Sequence, residues 1–181
     1  MMPAGRSEDG VNLRGYVRDI PDFPTPGILF RDITPLLLDP NALDAAVTRL
    51  TQYARELDID IVVAAEARGF ILGGALARSL HAGFVPARKR GKLPHDTVSA
   101  EYTLEYGVDA LEMHADAFAG GARVLIHDDL LATGGTARAL AELVGRLGGE
   151  VMACVFLVEL EAFGGRSQLA DYQVHSLIQY D

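Results

Sequence analysis

The chain has 181 residues, 49% hydrophobic and 23% charged, a make-up that fits one globular domain with enough apolar side chains for a sizeable core. A formal net charge of −9 speaks against general nucleic-acid binding, which relies on a basic face. A single cysteine excludes an intramolecular disulfide, and no apolar run approaches the roughly 18–20 residues of a membrane span, so a cytoplasmic protein without membrane association is expected.

In chain order, residues 1–10 are polar and glycine-containing and read as a tail outside the fold, without a hydrophobic signal segment. Asp19–Gly27 carries three prolines and a glycine, which predict a fixed irregular path leading into Ile28–Ile33. Pro40-Asn41 opens a helix in which Asn41 caps and Leu43, Val47, Leu50, Ala54 and Leu57 line one face, to about Leu57. Ile59–Ala65 reads as a buried parallel strand, Gly69–His81 as a helix and Gly83–Ala87 as the next strand. Val98–Tyr106 has the aromatic and β-branched content of an exposed hairpin arm. Arg123–Ile126 is a strand, Gly135–Leu147 a helix, and Val151–Val158 and Val174–Ile178 the last strands. Cys154, inside Val151–Val158, reads as inert core. Strands alternating with helices predict an α/β fold with a central parallel sheet covered by helices on both faces and ligands at the carboxyl ends of the strands.

Two segments carry chemistry. Arg123–Thr136 places adjacent acids, Asp128 and Asp129, where a strand is expected to end and a glycine loop opens a helix. Such charges are costly there unless they bind hydroxyls, a metal or amides. Ala132, Thr133, Gly134, Gly135 and Thr136 offer unshielded amides, two hydroxyls and the positive end of a helix dipole, a cradle for a monophosphate. No lysine follows the glycines, so it is not the nucleoside-triphosphate loop. Acids beside a phosphate nest suit a ribose 5-phosphate. The second segment, Arg88-Lys-Arg-Gly-Lys92, sets four cations within five residues of an acidic chain and reads on its own as a solvated charge run.

The segment Asp128–Thr136 resembles the phosphoribosyl pyrophosphate motif of type I phosphoribosyltransferases, and its wording is that of the adenine phosphoribosyltransferases. Phe23–Ile33, Glu66–Phe70, Arg88–Pro94 and Tyr102–Gly107 resemble blocks of the same family in the same order, from about Asp19 to Tyr180. His127 departs from the aliphatic residue of the family pattern and reads as a satisfied histidine rather than a catalytic one.

The resemblance implies one domain over 1–181, with a base-binding hood at 11–35 and a flexible β-arm at 88–107. It implies transfer of a phosphoribosyl group from phosphoribosyl pyrophosphate to N9 of adenine, with AMP and pyrophosphate as products, by a homodimer. Mg²⁺ is implied as cofactor, held chiefly by substrate oxygens and water rather than by protein ligands. Arg68, Arg88 and Lys92 are implied for pyrophosphate. Adenine is expected against Phe30, with its edge read by main-chain groups between Leu29 and Arg31, and with Leu160 on the other side. Glu105 is implied as the acid that assists proton movement, as a base or by stabilising a protonated purine, and Tyr106 as a positioning group. The alternatives are a phosphoribosyltransferase for another base and a regulator that keeps the site as a sensor. The Phe23–Ile33 block speaks against the first; the missing basic domain and the retained Glu105 speak against the second.

Overall fold

The computed structural model describes residues 6–7, 10–104 and 107–181. It divides into two compact units, Met1–Arg49 and Leu50–Asp181.

In the first unit β1 (Arg6–Ser7) pairs antiparallel with β2 (Gly10–Val11), and a 3-10 turn follows at Leu13–Tyr16. The proline-rich stretch, expected to be irregular throughout, enters and leaves as a hairpin: β3 (Arg18–Pro21) runs antiparallel to β4 (Leu29–Asp32), with Ile20 opposite Phe30. Pro21 is the last residue of its strand, a place where a missing N–H is tolerated. The intervening loop closes on itself. Gly27 N–H donates to Asp22 Oδ1 at 2.7 Å and Phe23 N–H to Ile28 O at 3.2 Å. Asp32 ties the hairpin down, accepting from Arg18 Nη2 at 2.6 Å and from Thr34 N–H at 2.9 Å; the Thr34 hydroxyl, with the other bonds, holds its carboxyl down to about 2. A short helix, α1 (Thr34–Leu38), leads to α2 (Pro40–Ala54). The cap of α2 is Asp39, not Asn41: its Oδ1 accepts from the amides of Asn41 and Ala42 at 2.9 and 3.0 Å. Pro40, with φ preset for the first helical position, moves the cap two residues upstream, from Asn41 to Asp39.

The second unit is built on a seven-stranded sheet. Its elements are β5 (Ile61–Ala65), α3 (Gly69–Leu80), β6 (Gly83–Lys89), β7 (Thr97–Leu104), β8 (Gly107–His114), β9 (Arg123–Leu131), α4 (Gly135–Arg146), β10 (Glu150–Leu160) and β11 (Val174–Tyr180). The order is β11-β10-β9-β5-β6-β8-β7. The first five strands are parallel, while β8 and β7 add an antiparallel hairpin at the β6 edge. Strand alternation puts Val63, Ala65, Val124, Ile126, Cys154 and Phe156 on one face, in one core with Leu140, Leu143 and Val144 of α4. Complete burial of each such aliphatic side chain stabilises by about 1.5–3 kcal/mol. On the other face α3 lies close enough that a Cβ on Gly73 would meet Ala64 Cβ at 2.7 Å. The hairpin is anchored too. Ala100, Leu111 and Met113 join the core below α4, with Val98 and Tyr102 packed against it, so the described part of the arm has more apolar anchoring than its charged composition predicts.

From β5 the chain moves through α3 to β6, and from β9 through α4 to β10, in opposite directions along the sheet. The switch point lies between β5 and β9, and crevices at the carboxyl ends of strands form there.

Candidate active site

A cavity of about 300 Å³ opens at that switch point, lined from Ala65 to Arg68 after β5 and from Asp128 to Ala137 through the end of β9 into α4. Its size suits a small ligand. Its origin is in the registers: β5 accompanies β9 only as far as Ala64 opposite His127, whereas β10 continues to Glu159 opposite Leu131. Asp128 and Asp129 therefore lie within β9, not at its end as the sequence suggests, but on a stretch whose β5 side is open. Gly69 lets the β5–α3 turn close over them, since a Cβ there would stand 2.9 Å from Asp128 Oδ1.

The acids are held in costly surroundings. Asp129 is 5% exposed. Burial raises its carboxyl pKa against the opposing pull of Arg68, whose Nε lies 3.0 Å from Asp129 Oδ2. Asp128 is raised further, first by burial and then by the neighbouring Asp129 charge; its Oδ1 accepts from Asp129 N–H at 2.9 Å. Hydrogen-bond donors arriving in the cavity, such as sugar hydroxyls, would relieve both.

The loop from Ala132 to Thr136 lines the same cavity. Gly134 has φ +86°, a left-handed conformation open to glycine, and the Arg138 amide closes the first helical turn on Gly134 O at 2.9 Å. The amides of Gly135, Thr136 and Ala137 thus belong to the first turn of a 12-residue helix, whose N–H groups have no intrahelical acceptors.

Among the cations, Arg68 lines the cavity, but Arg88 and Lys92 are absent from its walls and Lys89 takes their place. Alternation along β6 gives the reason: Lys89 shares the core-facing side with Val85 and Ala87, and Arg88 points the other way. Arg88 Nε instead donates to Glu66 Oε2 at 2.9 Å and its Nη1 to Lys92 O at 3.0 Å. Burial pushes the Glu66 carboxyl up, but the Lys89 amide and Arg88 outweigh it and hold the group below its ordinary value. Lys89 Nζ lies 2.9 Å from Asp109 Oδ2, which raises the ammonium pKa. Glu66, Lys89 and Tyr102 are cavity residues that sequence reasoning passed over. For Lys89 the period of two in β6 was a usable signal.

Phe30 is half-buried, its ring 5.1 Å from that of Phe23 at 76°, edge to face. Leu29 is exposed, and Arg31 Nη1 pairs with Asp19 Oδ1 across the hairpin. Leu160 closes β10. Glu105 and Tyr106 lie outside the described residues. His127 is fully buried below the acids; its Nδ1 lies 3.0 Å from Val155 O, and burial lowers its pKa to about 4, so the ring is neutral at pH 7.

Residues 37–179 match the phosphoribosyl transferase domain family. An adenine phosphoribosyltransferase of Pseudothermotoga lettingae is 53% identical over 170 residues, 94% of this chain and 100% of that protein. The chain belongs to the adenine phosphoribosyltransferase family. It is an enzyme, a glycosyltransferase by class. The adenine phosphoribosyltransferase of Thermoanaerobacter pseudethanolicus, a solved structure, superposes with a TM-score of 0.91 at 50% identity, covering 93% of this chain and 98% of that one, so the fold is the type I phosphoribosyltransferase fold. The adenine phosphoribosyltransferase of Saccharomyces cerevisiae, solved with adenine and an imino-altritol bisphosphate, gives 0.86 at 38% identity over 90% of this chain and 94% of that one.

Proposed function

We propose that the switch-point cavity holds phosphoribosyl pyrophosphate, with the ribose hydroxyls on Asp128 and Asp129, the 5-phosphate on Ala132–Thr136 and the pyrophosphate beside Arg68. The reaction is that of the family: the 5-phosphoribosyl group passes to N9 of adenine, giving AMP and pyrophosphate in purine salvage. The observation that carries the site assignment is the convergence, in one cavity, of an acid pair in need of donors, a helix-terminal amide cradle and an arginine.

As pyrophosphate leaves, positive charge grows on the sugar ring while negative charge grows on the departing oxygens. Arg68 and Lys89 oppose the second, and the acid pair, fixed to the ribose hydroxyls, lies beside the first. Both partners are held in place, so little orientation is left to chance. Mg²⁺ supplies further charge neutralisation on the pyrophosphate when bound. Two hard carboxylates face the cavity, a donor set that suits a Mg²⁺ held mainly by substrate oxygens. Arg88 and Lys92 remain candidates for pyrophosphate only if the arm rearranges, since Arg88 is engaged with Glu66.

Adenine recognition is assigned to Phe30, with the main chain of Leu29–Arg31 reading the base edge. A carbonyl that accepts from the 6-amino group would face a 6-oxo oxygen acceptor to acceptor, which rejects hypoxanthine and guanine. Glu105 is the group assigned to proton movement on the base. The homodimer reading draws support from Ile71 and Phe84, 49% and 36% exposed, beside Phe70, whose ring meets Phe84 edge to face at 5.9 Å. No described helix is long and apolar enough to cross a membrane. A cytoplasmic location belongs to the same reading, since a chain with a single cysteine forms no internal disulfide.

Incubation with phosphoribosyl pyrophosphate, Mg²⁺ and each purine base in turn tests this reading. AMP should form from adenine alone, and Asp128→Asn with Asp129→Asn should remove most of that turnover in a folded protein. Near-normal turnover in the double variant would refute the ribose assignment.

A further inference from the structure

The loop Ala132–Thr136 is shaped from behind by a segment that does not line the cavity. A 3-10 turn, Gly165–Leu169, lies against it main chain to main chain. A Cβ on Gly165 would stand 2.2 Å from Ala132 O, and a Cβ on Gly134 would stand 2.6 Å from Gly165 O. Both values are far inside van der Waals contact, so the two glycines allow an approach that no other residue pair permits.

The turn is anchored at two points, by Leu169, which is fully buried in the core, and by an ion pair beside Gly165. Arg166 Nε donates to Glu159 Oε1 at 2.6 Å and Nη2 to Oε2 at 2.7 Å, a two-point fork, while Nη1 donates to Val174 O at 3.1 Å. Glu159 is 3% exposed and stands in β10 directly opposite Leu131, the residue before the loop. Burial pushes its carboxyl up, but Arg166, with smaller help from Ser176 and Gln179, outweighs this and holds the group below its ordinary value. A charge placed so deeply is stable only with a well-oriented partner, and an arginine fork orients in a way that a lysine ammonium does not.

We propose that Glu159 and Arg166 are positioning residues for phosphoribosyl transfer: by fixing Gly165 against Ala132 they set the loop in the shape that receives the 5-phosphate. The inference rests on the assignment of that phosphate to Ala132–Thr136. Neither side chain touches substrate. The effect should fall on ligands that carry the phosphate and spare those that lack it.

Calorimetric titration with AMP and with adenosine, on purified protein that circular dichroism shows folded at the titration temperature, separates the possibilities. In Arg166→Lys and in Gly165→Ala the affinity for AMP should fall about tenfold or more, the scale expected from a sub-ångström misplacement of binding groups, with adenosine affinity unchanged. The KM for phosphoribosyl pyrophosphate should rise with little change in that for adenine. If Gly165→Ala does not fold, Arg166→Lys and Glu159→Gln decide. Thr133→Ala with Thr136→Ala serves as the control inside the loop. Unchanged AMP affinity in that control overturns the phosphate assignment and this inference with it. A weakened control beside wild-type AMP affinity in Arg166→Lys overturns the inference alone, as does an equal loss of AMP and adenosine, which marks a general loss of structure.

Discussion

At the scale of single residues, the acid pair joins function to a local loss of stability. Asp128 and Asp129 both have raised pKa values in the fold, caused first by burial. A carboxyl whose folded pKa exceeds its unfolded value of 3.8 contributes stability below that value and loses the contribution as pH rises through the folded pKa. As the pH rises the wild-type fold therefore loses this contribution, a loss offset in part by Arg68. Replacing Asp128 by Asn removes the titrating carboxyl without changing the shape. Asp128→Asn should accordingly melt at a higher temperature than wild type at pH 8, with the gap narrowing as the pH falls towards 4, while activity is lost. Scanning calorimetry across that range is the measurement, and a lower melting temperature at pH 8 would contradict the account. Stability given up at a site for the sake of its chemistry is a common trade.

Among the elements, α3 is the one whose position matters most to the site, because its N-terminus carries Arg68 and Gly69. Gly73 seats it on the sheet: an added Cβ would lie 2.7 Å from Ala64 Cβ and 3.0 Å from Phe84 Cε2. Two effects compete in Gly73→Ala. Alanine gains about 1 kcal/mol in helix propensity. Forcing a methyl into a filled core costs roughly 1–3 kcal/mol, and the contacts here are with a strand Cβ and a ring rather than a flexible chain end. The packing cost wins, so the urea midpoint should fall, and kcat/KM should fall with it as Arg68 and Gly69 shift. A raised midpoint would mean that α3 has room to move. The β7–β8 hairpin makes a similar point, because Ala100, Leu111 and Met113 give its root a core anchor.

For the whole molecule, His127 makes stability sensitive to mild acid. Its pKa falls from 6.5 to about 4 in the fold, because burial disfavours the charged ring. A group with a depressed pKa of this kind contributes stability above about 6.5 that is lost as the unfolded chain takes up a proton and the pH drops towards 4. The slope from this residue approaches about 1.4 kcal/mol per pH unit within that window. The acid pair acts with opposite sign, so the two partly cancel in wild type. His127→Ile should show a flatter decline of unfolding free energy between pH 6.5 and 4.5 than wild type, measured by urea titration. Equal slopes would place the proton uptake elsewhere.

How much was legible in the sequence follows the range of the interactions. The chain order of the parallel strands and the extents of α2, α3 and α4 were readable, because hydrophobic periodicity and glycine punctuation are local signals, but β9 runs on to Leu131, well past its expected end at Ile126. The phosphate loop and the acid pair were readable because all their parts lie in one stretch, Asp128–Thr136, and the family follows from the same words. What needed the tertiary structure is set by register and by faces. The acids lie inside β9, and their cavity exists because β5 stops short of β10. Lys89 enters that cavity and Arg88 leaves it because neighbours on a strand point to opposite sides. The hold of Arg166 on Gly165, and of Gly165 on Ala132, joins residues more than thirty positions apart through contacts between main chains, for which a sequence pattern offers no signal until the strands are laid side by side.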